Sequence, residues 1–302
     1  MTICNRFEET GEIHNLNLKT MGSACDFEPG SSPEGSNSIS FLENDKTYVI
    51  MLTTANYHHF FLNLMIPALL VFKELGGKDL HFVLCDQAVK DSQDDFDSLI
   101  VELLQENKIS YTQIHDSQFD YINAKNFIPI NGSDTENGIP LLYDYLINKY
   151  SVTTKTPDKK IYVSRKKYSS QDIRVDDEEV LENYFLAKGF QIVYPEDIAT
   201  FKEQFELFNS CSILAGLTGS GMTSLIFMQE NQKVIEIVSK LRVGFNHDDN
   251  GNVVYHYDTH EWYKQFSSLK NHTHLSVSNL EKQAELVIPR LDEVFNSLSE
   301  NF

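Results

Sequence analysis

The chain has 302 residues, enough for two α/β domains or one large one. A hydrophobic fraction of 41% supports a sizeable core, while 25 Lys and Arg against 44 Asp and Glu leave a formal charge of −19. That acidity argues against nucleic acid or an anionic membrane as a main partner, and it means that an anionic ligand needs a local basic pocket.

Residues 1–44 are polar, carry the loop cluster Gly30-Ser31-Ser32-Pro33, and read as an irregular arm. Thr47 to Thr53 reads as a strand, followed at once by Ala55-Asn56-Tyr57-His58-His59. Apolar residues at helical spacing run from Phe60 to Leu75, with Pro67 expected to kink the helix and Gly76-Gly77 to stop it. Further on, Leu80–Cys85 and Ile109–Ile114 read as strands, Phe127–Ile130 as a short one, and Phe96–Glu106 and Ile139–Tyr150 as helices. A Thr- and Lys-rich linker covers 151–157.

A second block repeats the alternation. Lys160–Val163 is a strand that runs into the basic Arg165-Lys166-Lys167, and Asp176–Lys188 is a helix with acidic residues in its first turn and Gly189 at its end. Phe190–Tyr194 is a strand and Phe201–Asn209 a helix. Asn250-Gly251 marks a hairpin turn, Glu261–Leu269 a helix and Leu280–Leu298 a closing helix. The predicted class is α/β, with two doubly wound, Rossmann-like parallel sheets. The expected division is an arm over 1–44, domains over 45–155 and 156–275, and a terminal helix over 276–302.

The densest signal lies between Cys211 and Ile237. An apolar strand, Ser212 to Gly216, meets the turn Leu217-Thr218-Gly219-Ser220-Gly221, then a helix opening on Met222-Thr223-Ser224, then the strand Val234–Ile237 with Glu236 near its end. Glycines at a helix N-terminus let backbone amides approach a phosphate. The P-loop Lys position is Met222 and the third glycine of a dinucleotide fingerprint is absent, so neither motif is present. Ligands of such folds sit beyond the carboxyl ends of strands. Ser164, Arg165 and Lys166 are therefore expected to converge with the amides from Gly219 to Thr223 on a diphosphate, with Thr218 beside them and Glu236 accepting from ribose hydroxyls. A tight strand-to-helix connection without a ligand fits the turn equally well.

Cys4, Cys25, Cys85 and Cys211 form no Cys-x-x-Cys pair, and their spacing suits neither zinc nor a disulfide framework. The N-terminal residues show no signal-peptide core, and no apolar run reaches membrane-spanning length. The expectation is a reduced, cytoplasmic protein.

In order along the chain stand Tyr162-Val163-Ser164-Arg165, Asp177-Glu178, Lys188-Gly189-Phe190, Gln204, Phe208, Gly216 with Gly219-Ser220-Gly221-Met222-Thr223-Ser224, Phe227-Met228 and Val234-Ile235-Glu236-Ile237. Asn56-Tyr57-His58-His59-Phe60 precedes them. This succession resembles glycosyltransferase family 61, in the superfamily of EGF-domain O-GlcNAc transferase and xylosyltransferase-like enzymes. The resemblance implies a GT-B fold, two Rossmann-like domains facing a central cleft. It also implies an inverting transfer from a nucleoside-diphosphate sugar to a hydroxyl of a glycan-type acceptor, as in polysaccharide biosynthesis. No metal or other cofactor is then required, and Asp95-Phe96-Asp97 reads as a solvated helix start. His59 is the candidate base. The chain departs from the family pattern at Thr218, where the family has His, and at Asn63, where it often has an acidic residue. Those departures leave open a non-catalytic nucleotide or glycan binder on the same scaffold.

Overall fold

A computed structural model describes residues 14–17, 27–53, 57–76, 79–86, 98–115, 118–129, 134–153, 155–167, 174–238, 243–247, 253–257, 261–279 and 281–299. The chain forms two compact units, Met1–Tyr145 and Leu146–Phe302.

The first unit begins with β1 (His14–Asn17), β2 (Phe27–Pro29) and β3 (Ser38–Phe41). These belong to the stretch expected to be irregular. They join β7 (Tyr121–Ala124) in a four-stranded sheet of order β2-β1-β7-β3. The strands are too short to show a sequence period, and β7, the partner of both β1 and β3, lies some 80 residues or more downstream, with Ser38 opposite Tyr121. The second sheet, β6-β5-β4-β8, is parallel throughout and contains β4 (Thr47–Thr53), β5 (Leu80–Asp86), β6 (Ser110–His115) and β8 (Phe127–Pro129).

After β4 the chain enters α1 (Tyr57–Phe60), a π-helical segment (Phe61–Met65) and α2 (Ile66–Leu75). Pro67 sits in the first turn of α2, where a missing N–H costs no helical bond. The disturbance expected at Pro67 is thus taken up by the wider π turn before it. Gly76 ends α2 in the left-handed region (φ 66°), donating its N–H to Phe72. The unit also holds α3 (Ser98–Glu106), with Leu99, Ile100, Leu103 and Leu104 buried, and most of α4 (Thr135–Tyr150).

The second unit is built on a five-stranded parallel sheet of order β10-β9-β11-β12-β15. Its strands are β9 (Lys159–Val163), β10 (Gln191–Val193), β11 (Cys211–Leu217), β12 (Lys233–Val238) and β15 (Thr273–Ser278). Its helices are α5 (Glu178–Ala187), α6 (Phe201–Asn209), α7 (Glu261–Leu269) and α8 (Ala284–Ser299). Asp177 caps α5 by accepting the Glu179 N–H, and Gly189 follows it at φ 80°. Side chains two apart on the strands, Ala215 and Leu217, Ile235 and Ile237, pack with Leu181 and Phe185 of α5 and Val287 and Leu291 of α8. A hairpin of β13 (Val243–His247) and β14 (Val253–Tyr257) follows β12, and its turn at 250–251 lies outside the described residues.

One expected helix has a different form. Ser220–Phe227 is a 3₁₀ helix rather than an α-helix. Every residue from Met222 to Phe227 is buried, including Thr223 and Ser224. A helix apolar on all sides packs on all sides, here against both α6 and α7. Its last carbonyl, on Phe227, accepts from the Asn209 side-chain amide at 3.2 Å.

Candidate functional site

In the second unit, β9 and β11 are neighbours with Val163 opposite Gly216. Ser164-Arg165 and Thr218-Gly219 therefore leave the same edge of the sheet side by side, at the carboxyl ends of adjacent parallel strands. Three glycines make this possible, each for a different contact. A Cβ on Gly216 would stand 3.0 Å from Met222 Sδ and 3.2 Å from the Val163 carbonyl. One on Gly219 would overlap Arg165 Nη1 and stand 3.1 Å from Arg165 Cζ. One on Gly221 would stand 2.8 Å from Val163 Cγ1. Gly219 is extended (φ 162°, ψ 177°), so it is required for room and not for its backbone angles. The guanidinium of Arg165 thus lies directly against the turn.

Met222 N–H closes the turn onto the Gly219 carbonyl at 2.9 Å, and the same carbonyl accepts the Tyr263 hydroxyl of α7 at 2.7 Å. The Met222 amide is therefore already committed, and Met222 and Thr223 are buried at 0% exposure. Ser220 and Gly221 are half-buried, and their N–H groups precede the first bond of the 3₁₀ helix. Gly221, expected to clear space for a phosphate, instead has its open side toward Val163, in the packing between turn and strand.

Arg165 is fixed from the other side by α5. The Glu178 carboxylate accepts the Arg165 backbone N–H at 2.8 Å and the Tyr162 hydroxyl at 3.2 Å, both at Oε1. Burial pushes the Glu178 carboxyl above the usual range, and the Arg165 and Tyr162 bonds pull it back. One turn along α5, Glu182 accepts from Ser164 Oγ at 2.7 Å and from Tyr194 Oη at 2.8 Å. Ser164 is 1% exposed, so its hydroxyl braces the loop rather than facing a ligand. Lys166, expected beside a diphosphate, directs its ammonium to Glu179 at 2.8 Å.

Thr218 and Glu236 also face inward. Glu236 is 0% exposed; its Oε1 accepts the Thr218 hydroxyl at 2.7 Å, and its Oε2 accepts from His274 Nε2 at 3.1 Å. His274 Nδ1 lies 2.9 Å from Ser267 Oγ of α7. With both oxygens engaged and no exposed surface, Glu236 is not presented to a ribose in this structure; it anchors Thr218 and so the start of the turn. Near this network His272 is buried, accepting the Gln232 N–H at Nδ1 (3.1 Å) and donating from Nε2 to the Leu225 carbonyl (3.3 Å). Burial lowers its pKa to about 4.

In the first unit His59 is half-buried at the start of the helical run. The Asn63 amide donates to His59 Nδ1 at 3.1 Å, one helical turn on, which places the ring proton on Nε2. His58 packs edge-on against His59 at 5.3 Å. Asp95-Phe96-Asp97 lies outside the described residues. Among the described residues no three His, Cys, Asp or Glu side chains group as metal ligands, and no helix is long and apolar enough to cross a membrane.

A parallel, Rossmann-like sheet with an arginine lying on a Gly-rich turn at its carboxyl edge belongs to the class of α/β proteins that take ligands at strand ends. The family model for glycosyltransferase 61 matches residues 57–235, more than half of the chain, and the chain belongs to that family. Membership implies glycosyltransferase activity. No curated protein matches significantly. Among solved structures, a short-chain dehydrogenase from Oenococcus oeni PSU-1 aligns at 11% identity over 77% of this chain and 96% of its own, with a TM-score of 0.17, too low to carry any argument.

Proposed function

We propose that the protein transfers a sugar, with inversion, from a nucleoside-diphosphate donor to a hydroxyl of a glycan-type acceptor, on a GT-B scaffold and without a required metal. The observation that carries the reading is the Arg165 guanidinium lying against Gly219, beside the opening amides of Ser220 and Gly221. An in-line displacement needs positive charge where the diphosphate leaves and a base for the acceptor hydroxyl. Arg165 supplies the charge, with the turn amides as further donors. In the neutral His59 ring Nδ1 accepts from Asn63, and ring rotation or release of that bond is needed before His59 acts as a base through it.

Thr218 supports a second reading. Its hydroxyl is spent on Glu236, so it offers no imidazole where the family pattern has one. The two readings separate by experiment. Calorimetry against UDP, GDP, CDP and ADP tests the donor site, and Arg165→Ala is expected to weaken binding by about 1.5–3 kcal/mol. Sugar release from the matching donors, with glycan acceptors present, then tests turnover. Binding without turnover supports the non-catalytic binder, and no binding to any of the four overturns the donor site.

A further inference from the structure

Arg165 lies against the turn, yet the carboxylates that hold its own N–H and the side chains of its neighbours on either side all come from one helix. Glu178 accepts the Arg165 N–H at 2.8 Å and the Tyr162 hydroxyl at 3.2 Å. Glu182, four residues on along α5, accepts from Ser164 at 2.7 Å and Tyr194 at 2.8 Å, and lies 3.8 Å from the Lys166 ammonium. Residues four apart share a helix face, so both carboxylates meet the loop after β9 together. Their tasks differ. Glu182 braces flanking side chains, whereas Glu178 bonds the peptide that carries Arg165.

We propose that Glu178 is the positioning residue for Arg165: its carboxylate sets where the strand ends and holds the guanidinium over Gly219. The inference rests on the donor-site reading above and deepens it by assigning a residue that itself touches no ligand. The room for Arg165 is narrow, since a single added carbon on Gly219 would overlap Nη1. An arginine that must share its space with a turn at van der Waals distance depends on a fixed backbone origin. A side chain held only at its tip would swing about it. Glu178 supplies that origin with a charge-assisted bond to N–H, stronger than a neutral one. The two donors it collects offset part of the cost of burying the carboxylate beside Glu182.

The experiment is a double-mutant cycle read by calorimetry, using the nucleoside diphosphate that the parent binds among UDP, GDP, CDP and ADP. Glu178→Ala is expected to weaken binding about tenfold when Arg165 is present and less than twofold in the Arg165→Ala background. Glu178→Gln keeps an acceptor oxygen and is expected within about threefold of the parent. Glu178→Asp, one methylene shorter, is expected to lose about tenfold. Should Glu178→Ala not fold, the Gln and Asp pair carries the comparison. Equal loss in both backgrounds, or no difference between Gln and Asp, overturns the positioning role and leaves the donor site standing. An Arg165→Ala protein that binds as the parent does, or a parent that binds none of the four, overturns the donor site itself and this inference with it.

Discussion

Gly219→Ala isolates the contact on which the functional reading depends. The substitution adds one carbon at an extended residue, so the backbone is not strained. That carbon would overlap Arg165 Nη1 and stand 3.1 Å from Cζ, where ordinary contact needs about 3.5–4 Å. The guanidinium must retreat by roughly an ångström, which a flexible side-chain end does cheaply, so stability should fall by less than about 1 kcal/mol. A charge-assisted hydrogen bond does not survive that displacement. The expected loss of nucleotide affinity is about 1.5–3 kcal/mol, or tenfold to a hundredfold. Calorimetry with thermal unfolding as the control reads both quantities. The same substitution made on Arg165→Ala should change nothing further, because the clash has no partner left. Undiminished binding in folded Gly219→Ala, or a full additional loss on the Arg165→Ala background, refutes the reasoning.

Gly221→Ala should behave in the opposite way: its Cβ would stand 2.8 Å from Val163 Cγ1, so urea unfolding should register a loss of about 1–3 kcal/mol, while binding by the protein that folds stays near that of the parent. Thr218→Val keeps the shape and deletes the hydroxyl that Glu236 accepts at 2.7 Å, leaving a buried carboxylate oxygen short of a donor; a loss of about 1–3 kcal/mol in the same assay is expected, and an unchanged midpoint would mean that another donor replaces it. His272, lowered to about 4 from an ordinary 6.5, makes the unfolded chain the better proton binder between those values. Its contribution is fully present above about pH 6.5 and is lost as pH falls toward 4; between pH 7 and pH 5 the loss is about 2 kcal/mol, measured as the parent's excess loss over His272→Gln in paired urea titrations, and equal losses would exclude it.

The long periodic and strongly punctuated elements were legible in the sequence. Helix α6 coincides with the reading because Thr200 caps it and Phe201, Phe205 and Phe208 recur on one buried face. The end of α5 was marked by Gly189 at φ 80°. Strands β7 and β15 were not seen, because β7 is four residues long and β15 is an edge strand whose polar Thr273, Ser276 and Ser278 are exposed. At the site, the meeting of Arg165 with the Gly turn follows from strand-end logic, whereas the inward orientation of Ser164, Thr218 and Glu236 does not. A polar residue at a strand end reads alike whether it faces a ligand or a buried partner, and the partners here, Glu182 and His274, are distant in sequence. Tyr263 gave no signal at all, since an aromatic on an amphipathic helix reads as core.

Among the described residues, one buried cysteine in each unit gives that unit its own chemical clock. Cys85 lies on β5 of the first unit and Cys211 on β11 of the second, both at 1% exposure or less. Burial raises the Cys211 thiol to about 12, so at neutral pH almost none of it is thiolate, the form that alkylating reagents attack. Modification must then wait for β11 to leave the sheet. Peptide mapping after timed alkylation would report the opening of the two sheets separately, without a label or a substitution. Nucleotide held at the carboxyl end of β11 would slow the Cys211 clock while leaving that of Cys85 running at its own rate.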